Sequence, residues 1–330
     1  MAAFPNGNSL TRPDYAGANS DIDIHMEEHL GIVDSKFVYT SKLAPFLDVR
    51  TLRSSNTLRL ERISGAVANG RITGQPLIET QNRQEKFQVN VDTIIYVRNV
   101  IDQFDLWTQN RDYRREYAEQ AGAELARKYD QAALIRALKA PSFVPPASLG
   151  DAFAPGVLVT TDADGEAIDE TTAAKLVHAH RKSLEQLINR DMGDALYEEG
   201  VTFVSPRIFS ILLEHNKLMN VQFGASGGGN DFVKGRVAML NGIRLVESAR
   251  VPTSAITGHP LGAEFDVTAD EAKRQMITFL PSQSLLVAQV KPLSAQQWND
   301  PKTFATFMDT FQSYNIGLRR PETVALVALK

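Results

Sequence analysis

The sequence predicts a mixed α+β fold, and three observations carry that prediction. First, the stretch 105–139 repeats apolar residues at helical spacing. Second, several short stretches alternate apolar and polar residues, and Asn241-Gly242 separates two strand-like runs. Third, the helical stretches are not spaced as regular βαβ units, so a doubly wound parallel sheet is not indicated.

Residues 1–45 are weakly patterned, and Gly, Asn, Pro and Asp dominate up to Asp23. Such a composition cannot bury enough area by itself to offset the entropy of ordering. Two readings follow: a frayed terminus, or an arm that orders against neighbouring subunits. The next segment, LDVRTLRSSNTLRLERI, places Leu58, Leu60 and Arg62 on one side of a strand and Arg59 and Glu61 on the other. Gly65, Gly70, Gly74 and Pro76 then interrupt the chain, and Asn69-Gly70 is a hairpin-turn signal. Alternation resumes with Phe87, Val89 and Val91 on one face. Together these features predict a long two-stranded loop projecting from the body, with too little core to stand alone.

The helix within 105–139 carries a stripe of Tyr113, Tyr117, Ala121, Leu125 and Tyr129, continued by Ala132 and Ile135. Glu124 precedes Lys128 by one turn in the favourable order. Asn110 is its expected cap and Pro141 its latest stop. At 1.5 Å per residue the helix reaches about 40 Å. Gly122 costs about 1 kcal/mol of helix propensity, and it permits another backbone to pack closely. Pro141, Pro145, Pro146, Gly150, Pro155 and Gly156 then mark a boundary.

A second helix is expected from Glu170 to about Met192, capped by Asp169, with Leu176, His180, Leu184, Leu187 and Ile188 inward. A buried strand, VTFV, leads to a short helix opened by Ser205-Pro206 and carrying Phe209, Leu212 and Leu213. MLNGIRLVES reads as strand, turn and strand, and ITFLPSQSLLVAQV as two strands around Pro281. The final stretch from Phe304 is expected to form a short helix and a closing strand.

Composition narrows the function. Apolar residues make up 43% of 330 positions, enough for a core without staples. Cys is absent, which removes disulfides, thiolate metal sites and sulfur nucleophiles. The opening MAAFPNGNSL has no secretory pattern, and the longest apolar run, Ser284 to Val290, is too short to span a membrane. With 35 basic and 39 acidic residues the net charge is −4, unlike a sequence-independent DNA wrapper.

No motif carries chemistry. GASGGGNDFVKG (224–235) lacks the order of a phosphate loop and reads as a surface loop. TDADGEAIDE (161–170) misplaces its glycine for an EF-hand and reads as an acidic turn leading into a helix. His25 and His29 lack a third ligand, and His178 and His180 diverge on a helix, so structural or solvated imidazoles are expected. H-E-x-x-H does not occur. The expectation is therefore a non-enzyme with no cofactor and no metal. Basic residues cluster at Arg111, Arg114 and Arg115, and at Arg50, Arg53, Arg59 and Arg62. Each cluster is either a set of inter-subunit ion pairs or a solvated face.

Four stretches carry a family resemblance: residues 91–138, TFVSPRIFSILLE (202–214), GIRLVESARVP (242–252) and YNIGLRRPETVALVAL (314–329). Their wording and order resemble the HK97-type capsid fold, and in particular the major capsid proteins of T7-like podoviruses. An extra arginine enters the closing run, giving Gly317-Leu318-Arg319-Arg320-Pro321-Glu322. The resemblance implies an N-terminal arm (1–49) and an extended loop, the E-loop (50–86). It also implies a peripheral domain with a spine helix (87–154 and 301–330) and an axial domain (155–300). It implies a structural subunit that forms hexamers and pentamers of an icosahedral shell around double-stranded DNA. The alternative is an encapsulin-like shell of the same fold. Implied partners are other copies of the chain, a scaffolding protein during assembly, a portal protein at one vertex, a decoration protein, and packaged DNA without specific recognition. Scaffolding is expected from a separate protein, because no long prodomain precedes the arm. Virion location and synthesis in the host bacterial cytoplasm are implied too. Assembly contacts are expected from Ile63, Val67 and Ile72 on the loop, and from Arg59, Arg62, Arg114 and Arg115.

Overall fold

A computed structural model describes residues 21–63, 68–74, 76, 84–102, 114–145, 154–163, 165–215, 239–300 and 302–330. The glycine loop 224–230, Val67, Asn110 and Tyr113 lie outside the described residues. In chain order the elements are α1 (Asp21–Thr40), β1 (Asp48–Thr51), β2 (Thr57–Ile63), β3 (Gln84–Asn90), β4 (Ile95–Asp102) and α2 (Arg114–Leu138). Then come β5 (Val157–Thr160), α3 (Glu170–Ile188), α4 (Gly193–Glu199), β6 (Val201–Val204), α5 (Pro206–Leu213), β7 (Met239–Leu240) and β8 (Ile243–Glu247). The chain ends with α6 (Ala269–Ala272), β9 (Met276–Phe279), α7 (Pro281–Ser284), β10 (Leu285–Asp300), β11 (Ala305–Leu318) and β12 (Val324–Ala328).

The chain forms two compact units. The first draws on 1–41, 94–129 and 291–313. Its α1 takes up residues 21–40, for which the sequence leaves a frayed terminus or an ordering arm open. Val33 is fully buried there, and a Cβ on Gly122 of α2 would lie 2.5 Å from the Val33 carbonyl oxygen. The close approach that Gly122 permits is made by α1. Phe37 meets Tyr129 edge-on with centroids 5.7 Å apart, and Lys36 lies 3.7 Å from Glu119. His29, Val33 and Phe37 recur every four residues, a short stripe hidden among polar neighbours.

β4 and β11 pair antiparallel, with Tyr96 opposite Phe311, Arg98 opposite Asp309 and Val100 opposite Phe307. The helix expected after Phe304 is therefore absent: residues 305–318 are a strand. Their β-branched and aromatic content (Thr306, Phe307, Thr310, Phe311, Tyr314, Ile316) favours a pleated surface. One face buries Ile95, Ile101, Met308 and Thr310. On the other, Tyr96 and Val100 are exposed and Trp298 stacks on Phe307 at 5.3 Å. Arg98 donates to both carboxylate oxygens of Asp309, at 2.8 and 2.7 Å.

The second unit draws on 42–93, 130–290 and 314–330. Its six-stranded sheet has the order β5-β12-β9-β6-β8-β7. Leu176 and Leu187 of α3 and Ile208 and Leu212 of α5 join Val157, Met276 and Val327 in one core. Asp169 caps α3 by accepting from the Thr172 amide at 2.6 Å, as the sequence predicts. The helix stops at Ile188 rather than near Met192, because the chain turns through a positive φ at Asp191, and Ile188 is exposed. Ser205 caps α5. In that helix Ile208 and Ile211 are buried with Leu212, whereas Phe209 and Leu213 are only partly buried. Asn241 and Gly242 have φ of 51° and 85°, the type I′ turn expected between β7 and β8.

The last turns of α2 are not a stripe. Ala132, Ala133, Leu134, Ile135, Ala137 and Leu138 are all fully buried, so this end of the helix is covered on every side. Glu124 pairs with Arg127 at 3.4 Å instead of with Lys128. His180 lies fully buried among hydroxyls. Its Nδ1 accepts from the Asn241 amide at 3.0 Å, which leaves the proton on Nε2, 3.2 Å from Thr202 Oγ1 and 3.3 Å from Thr278 Oγ1.

Candidate assembly interface

The projecting hairpin is β2 paired antiparallel with β3, from Thr57↔Asn90 to Ile63↔Gln84. The described pairing runs to that rung, Asn69 and Gly70 carry no tight two-residue turn, and Gly74 takes the left-handed backbone, with φ 94°. Cross-strand partners share a face. One face carries Leu58↔Val89, Leu60↔Phe87 and Arg62↔Glu85. The other carries Arg59↔Gln88 and Glu61↔Lys86, all exposed. Val89 and Val91 form a small cluster with Ala288, flanked by Leu52, Leu58, Phe87 and Val290. Backbone bonds fix the base: Leu52 N donates to Gln289 O at 2.7 Å, and Val91 N to Asn56 O at 2.8 Å. β1 pairs in parallel with the start of β10 beside it.

The proposed contact residues fall in different places. Arg59 points outward and Ile72 is 73% exposed in a stretch, 68–74, that is exposed throughout. Ile63 is described by its backbone alone, at the last rung of pairing. Val67 lies outside the described residues. Arg114 opens α2 in the first unit, with its side chain outside the described residues; Arg115 is exposed and lies 3.3 Å from Glu119.

Arg62 does not share the exposure of Arg59. It is 7% exposed, and its Nη2 donates to Leu318 O at 2.6 Å. Its guanidinium lies over the rings of Phe87 (4.1 Å) and Phe143 (5.0 Å). Burial lowers its pKa, while Glu85 and Glu322 act against that shift. Glu322 is itself buried, and burial raises its pKa; its own backbone amide and then Arg320, Arg62 and Arg190 pull it back. The place of Arg62 was legible in its alternation with Leu58 and Leu60. The roles of Phe143, Arg190 and Glu322 come from distant parts of the chain and had no local signal.

No described helix is long and apolar enough to cross a membrane. Among the described residues no group of three or more His, Asp or Glu side chains is placed to hold a metal ion.

No protein-family model matches the chain, and no curated protein sequence does. Solved structures do match. Over 100% of this chain and 99% of the other, it is 38% identical to the protein of the bacteriophage PhiM1 mature capsid asymmetric unit, with a TM-score of 0.76. The chain belongs to the phage major capsid proteins. Its fold is the HK97 type. The capsid protein also shares its fold with the capsid of cyanophage P-SCSP1u, at 17% identity, 86% coverage of each chain and a TM-score of 0.71. A virus-like particle from Pyrococcus furiosus matches at 13% identity and a TM-score of 0.55, covering 93% of the capsid protein and 99% of the particle's chain. That likeness is one of fold alone, so the encapsulin-like alternative is not favoured.

Proposed function

We propose that the chain assembles as hexamers and pentamers into the icosahedral shell of a tailed phage of the T7-like podovirus type. Identity of 38% along the full length of a mature-capsid protein supports the shell, and the wording of residues 91–138 and 314–329 supports the T7-like type. The hairpin supports it. Its polar face and residues 68–74 stay exposed in the single chain, surface that a neighbouring subunit can cover, and shell interfaces of obligate type bury roughly 2,000–5,000 Å². The chain works as a structural subunit without catalytic activity. It is made in the host cytoplasm, assembles with a scaffolding protein and around a portal at one vertex, and leaves room for a decoration protein. Double-stranded DNA fills the shell without specific recognition.

The test is expression of the chain alone and with a candidate scaffolding protein, followed by light scattering and negative-stain microscopy. Closed shells or tubes of hexamer-like and pentamer-like units are expected. A clean monomer under every condition, scaffold included, overturns the reading.

A further inference from the structure

The closing run Gly317–Glu322 touches the hairpin and the body at once. Gly317 lies against β3: a Cβ there would stand 2.9 Å from Phe87 Cζ and overlap Val89 Cγ2. At the next residue Leu318 O accepts from Arg62. On the body side, the amides of Arg319 and Arg320 donate to Ser284 O at 2.8 and 3.3 Å. Arg190 Nη1, from just beyond α3, donates to Glu322 O at 3.0 Å and to Pro155 O at 3.1 Å. Ser284 Oγ and Thr323 Oγ1 lie 2.7 Å apart, and Thr323 Oγ1 donates to Arg320 O at 2.7 Å. The run is thus pinned from below and holds the hairpin from above.

The chemistry of Arg62 suits this place. A planar guanidinium can lie on aromatic rings and still donate to a carbonyl in its plane, which an ammonium cannot do at the same time. A charge this deeply buried needs counter-charge, and Glu85 and Glu322 supply it. Glu322 Oε1 lies 4.0 Å from Arg320 Nε, and its Oε2 accepts no hydrogen bond among the described residues. Its carboxylate therefore acts as a shared counter-charge and not as a ligand of one arginine. Arg62 sits beside the last described rung, Ile63↔Gln84.

We propose that Arg62, Gly317 and Glu322 are positioning residues that fix the direction in which the extended loop departs, and through it the curvature of the shell. The inference rests on the reading of the hairpin as an assembly element. Its test uses hydrogen exchange on the unassembled full chain and microscopy of the assembled product, for Arg62→Lys, Arg62→Met, Gly317→Ala and Glu322→Gln. Amides of residues 57–63 and 84–90 should exchange at least tenfold faster in Arg62→Met and Gly317→Ala, while β6, β9 and β12 stay protected. Lys at 62 should not restore the hairpin, and Glu322→Gln should loosen it in the same direction. Particles from these variants should spread in diameter. Unchanged hairpin exchange, or equal acceleration in the hairpin and the core strands, overturns the clamp. A loosened hairpin with shells of normal size overturns its link to curvature. Absence of shells from the unaltered chain strikes at the assembly reading instead, and the exchange contrast still decides the clamp.

Discussion

His180 shows what a single side chain can reveal about this protein. Burial holds its pKa down to about 4, against 6.5 in the unfolded chain. A proton added to Nδ1 would face the Asn241 amide, itself a donor. Because the folded pKa is the lower one, the neutral form is favoured in the fold. Its contribution is full above pH 6.5 and is lost as pH falls toward 4. By linkage the loss reaches about 3 kcal/mol. Urea denaturation of the unassembled subunit from pH 7 to pH 4 should show that decline. A His180→Gln chain, already weaker at pH 7, should show a flatter one; equal slopes would remove His180 as the cause. The sequence leaves its histidines structural or solvated, but places this one on the α3 stripe with Leu176 and Leu184. Its hydroxyl partners were beyond reach, because Thr202 and Thr278 are joined to it only by the pairing of β6 with β9.

Elements announced themselves when their signals were local. The Asp169 and Ser205 caps, the Asn241-Gly242 turn and the β2–β3 alternation each lie within a few residues of what they specify. Two elements had only weak local patterns, because tertiary packing decides them. α1 depends on the bare Gly122 of another helix, and β11 on strand neighbours at both sides. For the hairpin itself, replacing residues 64–74 by a short Gly/Ser turn should leave a folded subunit that assembles poorly. Ile72 is largely exposed there and has little burial to lose. Circular dichroism and thermal melting report the subunit, and sedimentation reports the shells. Normal shells would make the segment dispensable, and loss of the fold would place it in the core.

For the molecule as a whole, charge sets the terms of its relation to the genome. A net charge of −4 gives no general attraction to a polyanion. Non-specific DNA binders reach Kd values of roughly 10⁻⁴–10⁻⁶ M at physiological salt. The unassembled subunit should fall short of that range with a labelled duplex in fluorescence anisotropy; salt-dependent micromolar binding would contradict this. The four-stranded sheet has a different bearing. β4 ends it, so the outer edge of that strand has no strand partner among the described residues. On this edge strand Tyr96 and Val100 are exposed. An open edge next to apolar side chains is a template for indiscriminate pairing. Every newly synthesised chain is therefore in a kinetic race. Ordered growth must consume it before two such edges meet at random, and the yield of particles depends on how fast the chain is made as well as on how stably it folds.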